Sequence, residues 1–139
     1  MLKGLTHAAL SVTDVEKSVE FYKKIPGITE QFRMKGEDGT TRLVYLKVGP
    51  LQFIELFPRA DSPHEKTTNA GYVHICLECD DIQEMYRQVV ANGITPTVEI
   101  QKPADWTWQF WVNDPDGCPI EFHQFTDESL QLDNPKKKA

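Results

Sequence analysis

The feature that most constrains this chain is an internal repeat, which divides it into two halves of similar plan. Asp14 follows His7 by 7 residues, and Asp81 follows His74 by the same interval. A Gly-Ile pair then begins 20 residues after the first histidine and 19 residues after the second. Because duplicated segments form duplicated supersecondary units, the repeat predicts two modules with the same order of elements.

The first half has the pattern of a strand, a helix and three further strands. Thr13 lies three residues before Glu16, the spacing of a capping box, which predicts the start of the helix. Pro26-Gly27 predicts its end, and apolar residues at helical spacing give it one buried face. The predicted strands are 7–12, 29–34, 41–48 and 51–57.

The second half repeats this pattern. Asp81 lies three residues before Glu84, again the spacing of a capping box, and Asn92-Gly93 ends the predicted helix. The Asp-Pro-Asp-Gly segment at 114–117 predicts a tight turn between the last two strands. The predicted strands of this half are 73–78, 95–100, 108–113 and 119–125.

Two βαβββ modules predict an α+β domain at residues 1–126. Module one is expected at about 5–57 and module two at about 72–125, joined by a polar connector at 58–71. Residues 127–139 are expected to form a C-terminal tail that ends in a run of lysines. Each module has one uncovered sheet face, so we expect these faces to enclose a metal-binding cleft with the helices outside.

Composition argues against several classes of partner. The 139-residue chain has a formal net charge of −6, which disfavours nucleic acid and anionic membranes. No apolar run approaches the roughly 20 residues of a membrane-spanning helix, and no signal-peptide segment is recognisable. The three cysteines lack the spacing of a disulfide framework, so the predicted location is the cytoplasm.

A histidine and a glutamate occupy matching positions in the two halves. His7 and His74 open the first strand of their half. Glu55 and Glu121 lie in apolar last strands, 48 and 47 residues after those histidines. Since a buried carboxylate needs a metal or another cation, the four residues predict a divalent metal site. Two imidazole nitrogens and two carboxylate oxygens suit Ni²⁺, Co²⁺, Zn²⁺, Mn²⁺ or Fe²⁺.

These residues resemble the pattern of the vicinal-oxygen-chelate superfamily and, within it, the short bacterial form of glyoxalase I. The resemblance runs from about residue 5 to residue 124. It rests on Thr6-His7, on Phe-Ile-Glu-Leu at 53–56, on Gly-Tyr-Val-His-Ile at 71–75, and on the turn at 114–117 followed by Ile120-Glu121.

The resemblance implies a lyase that converts the hemithioacetal of methylglyoxal and a thiol, glutathione, into a lactoyl thioester through a metal-bound enediolate. By position Glu121 matches the catalytic base, and Glu55 is expected on the opposite face of the substrate. The family usually builds its site from modules of two subunits, which implies a homodimer. Because this chain lacks the extra loop of the longer, zinc-preferring form, Ni²⁺ or Co²⁺ is favoured over Zn²⁺ as the single metal ion of each site.

Four further residues are candidate substrate contacts. Ser11 stands where the family usually has an arginine that binds a glutathione carboxylate. Arg59 lies next to the position where the family usually has an asparagine, and it can supply the positive charge from another direction. Trp108 belongs to an aromatic cluster that forms either a substrate-facing wall or packing in the core or dimer. His123 shares a strand face with Glu121, which allows a substrate contact, a supporting contact, an alternative ligand or a structural role.

Cys76 and Cys79 form a C-x-x-C pair in or just after a strand. Redox pairs of this kind lie at the start of a helix, and a structural zinc site would need two further ligands nearby, so neither role is favoured. Cys76 lies two residues after His74. Strand alternation therefore places both on one face, where the thiol can line the pocket.

Other functions of the same superfamily remain alternatives. One is an epimerase or isomerase of a small or sugar-like carbonyl substrate, although the family's epimerases often have an amide where this chain has Glu55. An extradiol dioxygenase uses two histidines and one glutamate around Fe²⁺, and a fosfomycin-modifying transferase also uses three ligands. A non-enzymatic drug-binding dimer of the bleomycin-resistance type generally lacks the ligand set.

Overall fold

The computed structural model describes residues 1–66, 70–133 and 136, and these form two βαβββ modules. Module one consists of β1 (His7–Ser11), α1 (Val15–Lys23), β2 (Thr29–Lys35), β3 (Thr41–Gly49) and β4 (Gln52–Phe57). Module two consists of β5 (Ile75–Glu78), α2 (Ile82–Ala91), β6 (Pro96–Gln101), β7 (Trp108–Asn113) and β8 (Pro119–Gln124). The predicted α+β class and the order of elements are confirmed, with strand boundaries within two residues of those expected.

The two modules have the same sheet topology. The strand order is β1-β4-β3-β2 in the first sheet and β5-β8-β7-β6 in the second. In each sheet the first and last strands of the module pair in parallel, and the other pairs are antiparallel. The parallel pairing places Glu55 opposite Ala9 and Glu121 opposite Cys76. Each glutamate therefore pairs with the residue two positions after the histidine of its own half.

Contacts divide the chain into two compact units. The first contains Met1–Asn69 together with Asp114–Gly117, and the second contains Ala70–Asn113 and Cys118–Ala139. The turn at 114–117 thus belongs to the first unit, although it joins two strands of the second. Parts of two predicted segments, residues 67–69 of the connector and 134, 135 and 137–139 of the tail, lie outside the described residues.

Each helix buries one face against the sheet of its own module. Val19 and Tyr22 of α1 are buried, as are Ile82 and Val89 of α2. Burial of each of the three aliphatic side chains, Val19, Ile82 and Val89, contributes about 1.5–3 kcal/mol. Among the described residues, neither helix is long and apolar enough to cross a membrane.

The start of α1 corrects the sequence-based prediction. Its N-cap is Asp14, whose side chain accepts a hydrogen bond from the backbone N–H of Lys17 (3.0 Å). Thr13 is not the cap, because its backbone N–H (3.0 Å) and its hydroxyl both donate to the carboxylate of Asp116. A buried acceptor 103 residues away therefore engages the hydroxyl that the local pattern assigned to the helix.

The second module shows one smaller correction and one extension. β5 begins at Ile75, so His74 precedes the strand rather than lying within it. The first part of the predicted tail packs against the loop before β7, where the hydroxyl of Thr107 donates to the buried Ser129 (3.0 Å). The N–H of Leu130 also donates to the carbonyl oxygen of Asp105 (3.0 Å).

The cap of α2 gives a test of local stability. The side chain of Asp81 accepts hydrogen bonds from the N–H groups of Gln83 (3.0 Å) and Glu84 (2.9 Å), as its capping-box position predicted. We expect Asp81→Ala to lower the free energy of unfolding by about 1 kcal/mol in chemical denaturation. Asp80→Ala removes the same charge one residue earlier and is the control. Equal destabilisation by both variants would contradict a specific cap.

Candidate metal centre

The first module brings its histidine and glutamate into contact. Nε2 of His7 lies 3.1 Å from Oε2 of Glu55. Glu55 carries a charged side chain, yet it is only 8% exposed. Tyr45 of β3 lies opposite Glu55 in the strand register, and its hydroxyl donates a hydrogen bond to this carboxylate. That hydrogen bond, together with desolvation and the negative charge of the acid, raises the pKa of Tyr45. The tyrosine thus restrains the orientation of the glutamate.

Aromatic rings surround this first pair. The Tyr45 ring stacks on Phe32, with ring centres 4.5 Å apart, and meets Phe53 edge-on at 5.7 Å. The His7 ring lies edge-on to the same tyrosine at 6.0 Å. The polar pair is therefore bordered by an aromatic surface that can contact an apolar part of a small molecule.

The second module forms an equivalent pair with a different support. Nε2 of His74 lies 3.1 Å from Oε2 of Glu121, which is 6% exposed. Trp111 occupies the register position opposite this acid, as Tyr45 does in module one, and its ring centre lies 4.8 Å from that of His74. The indole N–H, however, donates to Oε1 of Gln109 (2.6 Å). It does not restrain the glutamate.

Two further donors flank Glu121 and have no counterpart in module one. Nε2 of His123 lies 2.8 Å from Oε1 of the glutamate, so the two carboxylate oxygens face different imidazoles. Cys76 lies opposite Glu121 in the register, and donor atoms of the thiol, the carboxylate and His123 all lie within 4.8 Å of one another. The equivalent positions of module one hold Ala9 and Phe57.

The thiols near this group are not activated. Cys76 is exposed as a residue, but desolvation of its thiol, and then the negative charge of Glu121, raises the pKa of Cys76 to about 12. Burial and neighbouring aspartates raise the pKa of Cys79 to about 11. Both cysteines are free, and both thiols are protonated at neutral pH. These properties are unlike those of a redox pair, in agreement with the sequence analysis.

The two glutamates fit a divalent metal ion. Both are buried, and within residues 1–66, 70–133 and 136 neither forms an ion pair with lysine or arginine. Leaving such carboxylates without a compensating cation is costly, and neutral histidine does not supply positive charge. Each module therefore offers a metal ion one imidazole nitrogen and one carboxylate oxygen, donors that suit Zn²⁺, Co²⁺ and Ni²⁺.

Two of the predicted substrate contacts lie together at one end of the first sheet. Ser11, the last residue of β1, lies opposite Phe57 in the register. The guanidinium of Arg59 lies 4.6 Å from the centre of the Phe57 ring. The cation is thus held on the side chain that pairs with Ser11. This places positive charge close to the position where the resemblance implies an arginine.

The tryptophan beside the second pair is Trp111, whereas Trp108 was the residue predicted from sequence. Trp108 begins β7, and strand alternation places it on the face that carries the buried Phe110, opposite to Glu121. The ammonium of Lys102 lies 5.2 Å from its ring centre. A substrate role for Trp108 stays a prediction. The tryptophan that the structure places beside His74 is Trp111.

Sequence reasoning missed Tyr45 and did not single out Trp111. The signal that could have found both is the position opposite a buried acid in the neighbouring antiparallel strand, where side chains meet directly. That signal is usable only once the strand register is known.

Comparison with known proteins identifies relatives that match most of this chain. The family model described as the Glyoxalase/Bleomycin resistance protein/Dioxygenase superfamily matches residues 4–122. A protein of Neisseria meningitidis named lactoylglutathione lyase is 32% identical over 124 residues, covering 86% of this chain and 89% of the relative.

Two further matches extend the comparison. The human mitochondrial methylmalonyl-CoA epimerase is 33% identical over 86 residues, covering 58% of this chain and 49% of that protein. The crystal structure of a lactoylglutathione lyase from Agrobacterium tumefaciens superimposes with a TM-score of 0.67 at 21% identity, covering 88% of this chain and 94% of the other. At that identity the structural match shows the fold alone.

Tyr45→Phe tests whether the carboxylate that the tyrosine restrains is a metal ligand. We expect this variant to lower the affinity for Co²⁺ about 10-fold in calorimetric titration, because partners that orient a ligand contribute about 10–100-fold to metal affinity. Tyr86→Phe is the matched control, since the Tyr86 hydroxyl donates to the carboxylate of Glu99 (2.6 Å), which belongs to neither pair. Unchanged affinity in Tyr45→Phe would contradict this role.

Proposed function

Because the chain belongs to the Glyoxalase/Bleomycin resistance protein/Dioxygenase superfamily, we propose that it is a divalent-metal-dependent enzyme that transfers a proton next to the carbonyl of a small substrate. The observation that carries the proposal is the duplicated histidine–glutamate pair, with the same 3.1 Å separation in both modules. We propose that both pairs act on one metal ion, as parts of a homodimer. The four ligands would be His7, Glu55, His74 and Glu121.

The proposed donors determine what chemistry is available. When bound, the metal ion supplies a positive charge that polarises the carbonyl and acidifies the neighbouring C–H group. The mixed nitrogen and oxygen donors suit Ni²⁺ or Co²⁺, with Zn²⁺ as the third option. The aromatic surface beside His7 would contact the apolar part of the substrate and exclude water from it.

The two glutamates are proposed to have different roles. Glu55 accepts the Tyr45 hydroxyl, so its orientation is restrained and it serves mainly as a ligand. The aromatic residue opposite Glu121 donates its N–H to Gln109, so no tyrosine hydroxyl restrains this carboxylate. Glu121 is therefore the proposed base, which takes the proton from the substrate carbon and returns it to the adjacent carbon.

The finer proposal is a lactoylglutathione lyase activity on the hemithioacetal of methylglyoxal and glutathione. The relatives of that name support it, as does the intact set of two histidines and two glutamates. Arg59 supports the choice of thiol, because a guanidinium held on Phe57 can bind a glutathione carboxylate in a bidentate manner. If Arg59 binds this carboxylate, the position of Ser11 does not need a positively charged residue.

An epimerase is the second candidate. The chain also matches methylmalonyl-CoA epimerases, and it has two buried carboxylates, one that could remove a proton and one that could return it. Proton transfer next to a carbonyl is common to both candidates. The lyase is the first candidate because this chain has Glu55 at the position where the family's epimerases often have an amide.

A thioester assay tests the proposed reaction. Protein stripped of metal and reloaded with Ni²⁺, Co²⁺ or Zn²⁺ is given methylglyoxal and glutathione, and thioester formation is followed by ultraviolet absorbance. We expect metal-dependent turnover that falls about 10²–10⁴-fold in Glu121→Gln, the usual contribution of a general base. Glu99→Gln, in β6 of the same module, is the control. Stoichiometric metal binding without turnover for any metal would refute the lyase and favour the epimerase.

The thiol-binding role of Arg59 has its own test in the same assay. We expect Arg59→Ala to raise KM for the glutathione hemithioacetal about 10-fold or more at nearly unchanged kcat, because a charge-assisted hydrogen bond contributes about 1.5–3 kcal/mol to binding. Adding Ser11→Arg to this variant should restore a low KM by returning the charge to the neighbouring strand. An unchanged KM in Arg59→Ala would remove this residue from the substrate site.

A further inference from the structure

The donors beside Glu121 form a group that the duplicated pairs do not require. Cys76 lies opposite the glutamate on β5, and His123 lies two residues beyond it on β8. Register and strand alternation therefore put all three side chains on one face of the second sheet. Their donor atoms, one sulfur, one oxygen and one nitrogen, lie within 4.8 Å of one another.

The nitrogen of His123 is the unusual member of this group. Nε2 is fully buried and lies 2.8 Å from Oε1 of Glu121, yet within the described part of the chain it makes no hydrogen bond. A buried polar atom without a hydrogen bond destabilises the folded state. A cation between the nitrogen, the carboxylate oxygen and the thiol would compensate for that cost, since all three are ligand atoms.

We propose that the second module binds a thiophilic divalent ion, with Zn²⁺ as the physiological choice, through Sγ of Cys76, Oε1 of Glu121 and Nε2 of His123. In a tetrahedral zinc site, ligand atoms lie about 3.5 Å apart. That value lies between the 2.8 Å that separates His123 from Glu121 and the 4.8 Å within which all three donors lie. The thiol binds as a thiolate and releases its proton to solvent. Three protein donors leave the fourth position to water.

Module one shows that this site is not a product of the repeat. Ala9 and Phe57 occupy the positions equivalent to Cys76 and His123, so the first sheet has neither a thiol nor a second imidazole beside its glutamate. The two added donors are specific to the second module. Of these two, His123 contacts the carboxylate oxygen that does not contact His74.

The site also implies a form of inhibition, and this consequence rests on the proposed function. Glu121 is the proposed base, and a thiophilic ion on its Oε1 would prevent it from accepting a proton. Zn²⁺ or Cd²⁺ added to enzyme already loaded with Ni²⁺ would therefore inhibit turnover, and Cys76→Ser would be less sensitive to that inhibition.

A spectroscopic titration tests the site without using activity. Co²⁺ is added to the full-length, metal-free chain, and the thiolate-to-cobalt charge-transfer absorbance in the near ultraviolet is followed. We expect this band in the wild type, its loss in Cys76→Ser and its retention in Cys79→Ser, the matched thiol control. We also expect His123→Ala to weaken the cobalt affinity reported by the band about 10-fold or more.

A variant of the first pair separates this proposal from the proposed function. His7→Ala removes a ligand of the four-residue site but leaves all three donors of module two, so the band should persist. Cobalt that binds without a thiolate band, or a band unchanged in Cys76→Ser, would overturn the new site and leave the enzyme proposal intact. A band lost in His7→Ala would assign the thiolate to the four-residue site and overturn a separate one. Cys76→Ala, which copies Ala9, serves if the serine variant fails to fold.

Discussion

The parallel pairing of the first and last strands in each module is the interaction on which the rest of the structure depends. Parallel strands cannot be joined by a tight turn, so the helix and two strands must lie between them in sequence. The pairing brings the start of the first strand beside the middle of the last one, 48 residues later in the first module. The contacts of His7 with Glu55 and of His74 with Glu121 follow directly from this topology. A pair of polar side chains inside each sheet is thus a consequence of chain path, and it is formed twice.

The two modules keep the pair but differ in what surrounds it. A hydroxyl restrains Glu55, whereas the aromatic residue opposite Glu121 hydrogen-bonds to its own strand and leaves that acid in contact with two imidazoles. Buried acids without a compensating cation reduce stability, and apolar residues of similar size would be neutral or stabilising in their place. Their presence in both sheets, where local packing rules disfavour them, is the departure expected of a functional site. The differences around them are what permit two roles for two otherwise equivalent carboxylates.

Much of the fold could be predicted from the sequence, because strand alternation, turns and helix caps each depend on residues that lie close together in the chain. Alternating apolar residues and turn residues predicted eight strands to within two residues, and the capping-box spacing identified Asp81 correctly. The repeat then predicted that both halves share one plan, since duplicated segments form duplicated supersecondary units. It also singled out the four histidine and glutamate positions. No single one of them would have been distinctive without its counterpart in the other half.

The sequence by itself therefore determined the two modules, the order of their elements along the chain and the four residues that form the pairs. Tertiary structure decided what supports them. Counting outward from the turn after β3 would pair Glu55 with Leu46, but a bulge between Lys47 and Gly49 shifts the register by one residue and places Tyr45 there instead. The N-cap of α1 is Asp14 rather than Thr13 for a similar reason, since the Thr13 hydroxyl donates to Asp116, 103 residues later in the chain. Propensity and spacing act over a few residues, whereas register shifts and long-range hydrogen bonds are settled only when the strands and turns pack together.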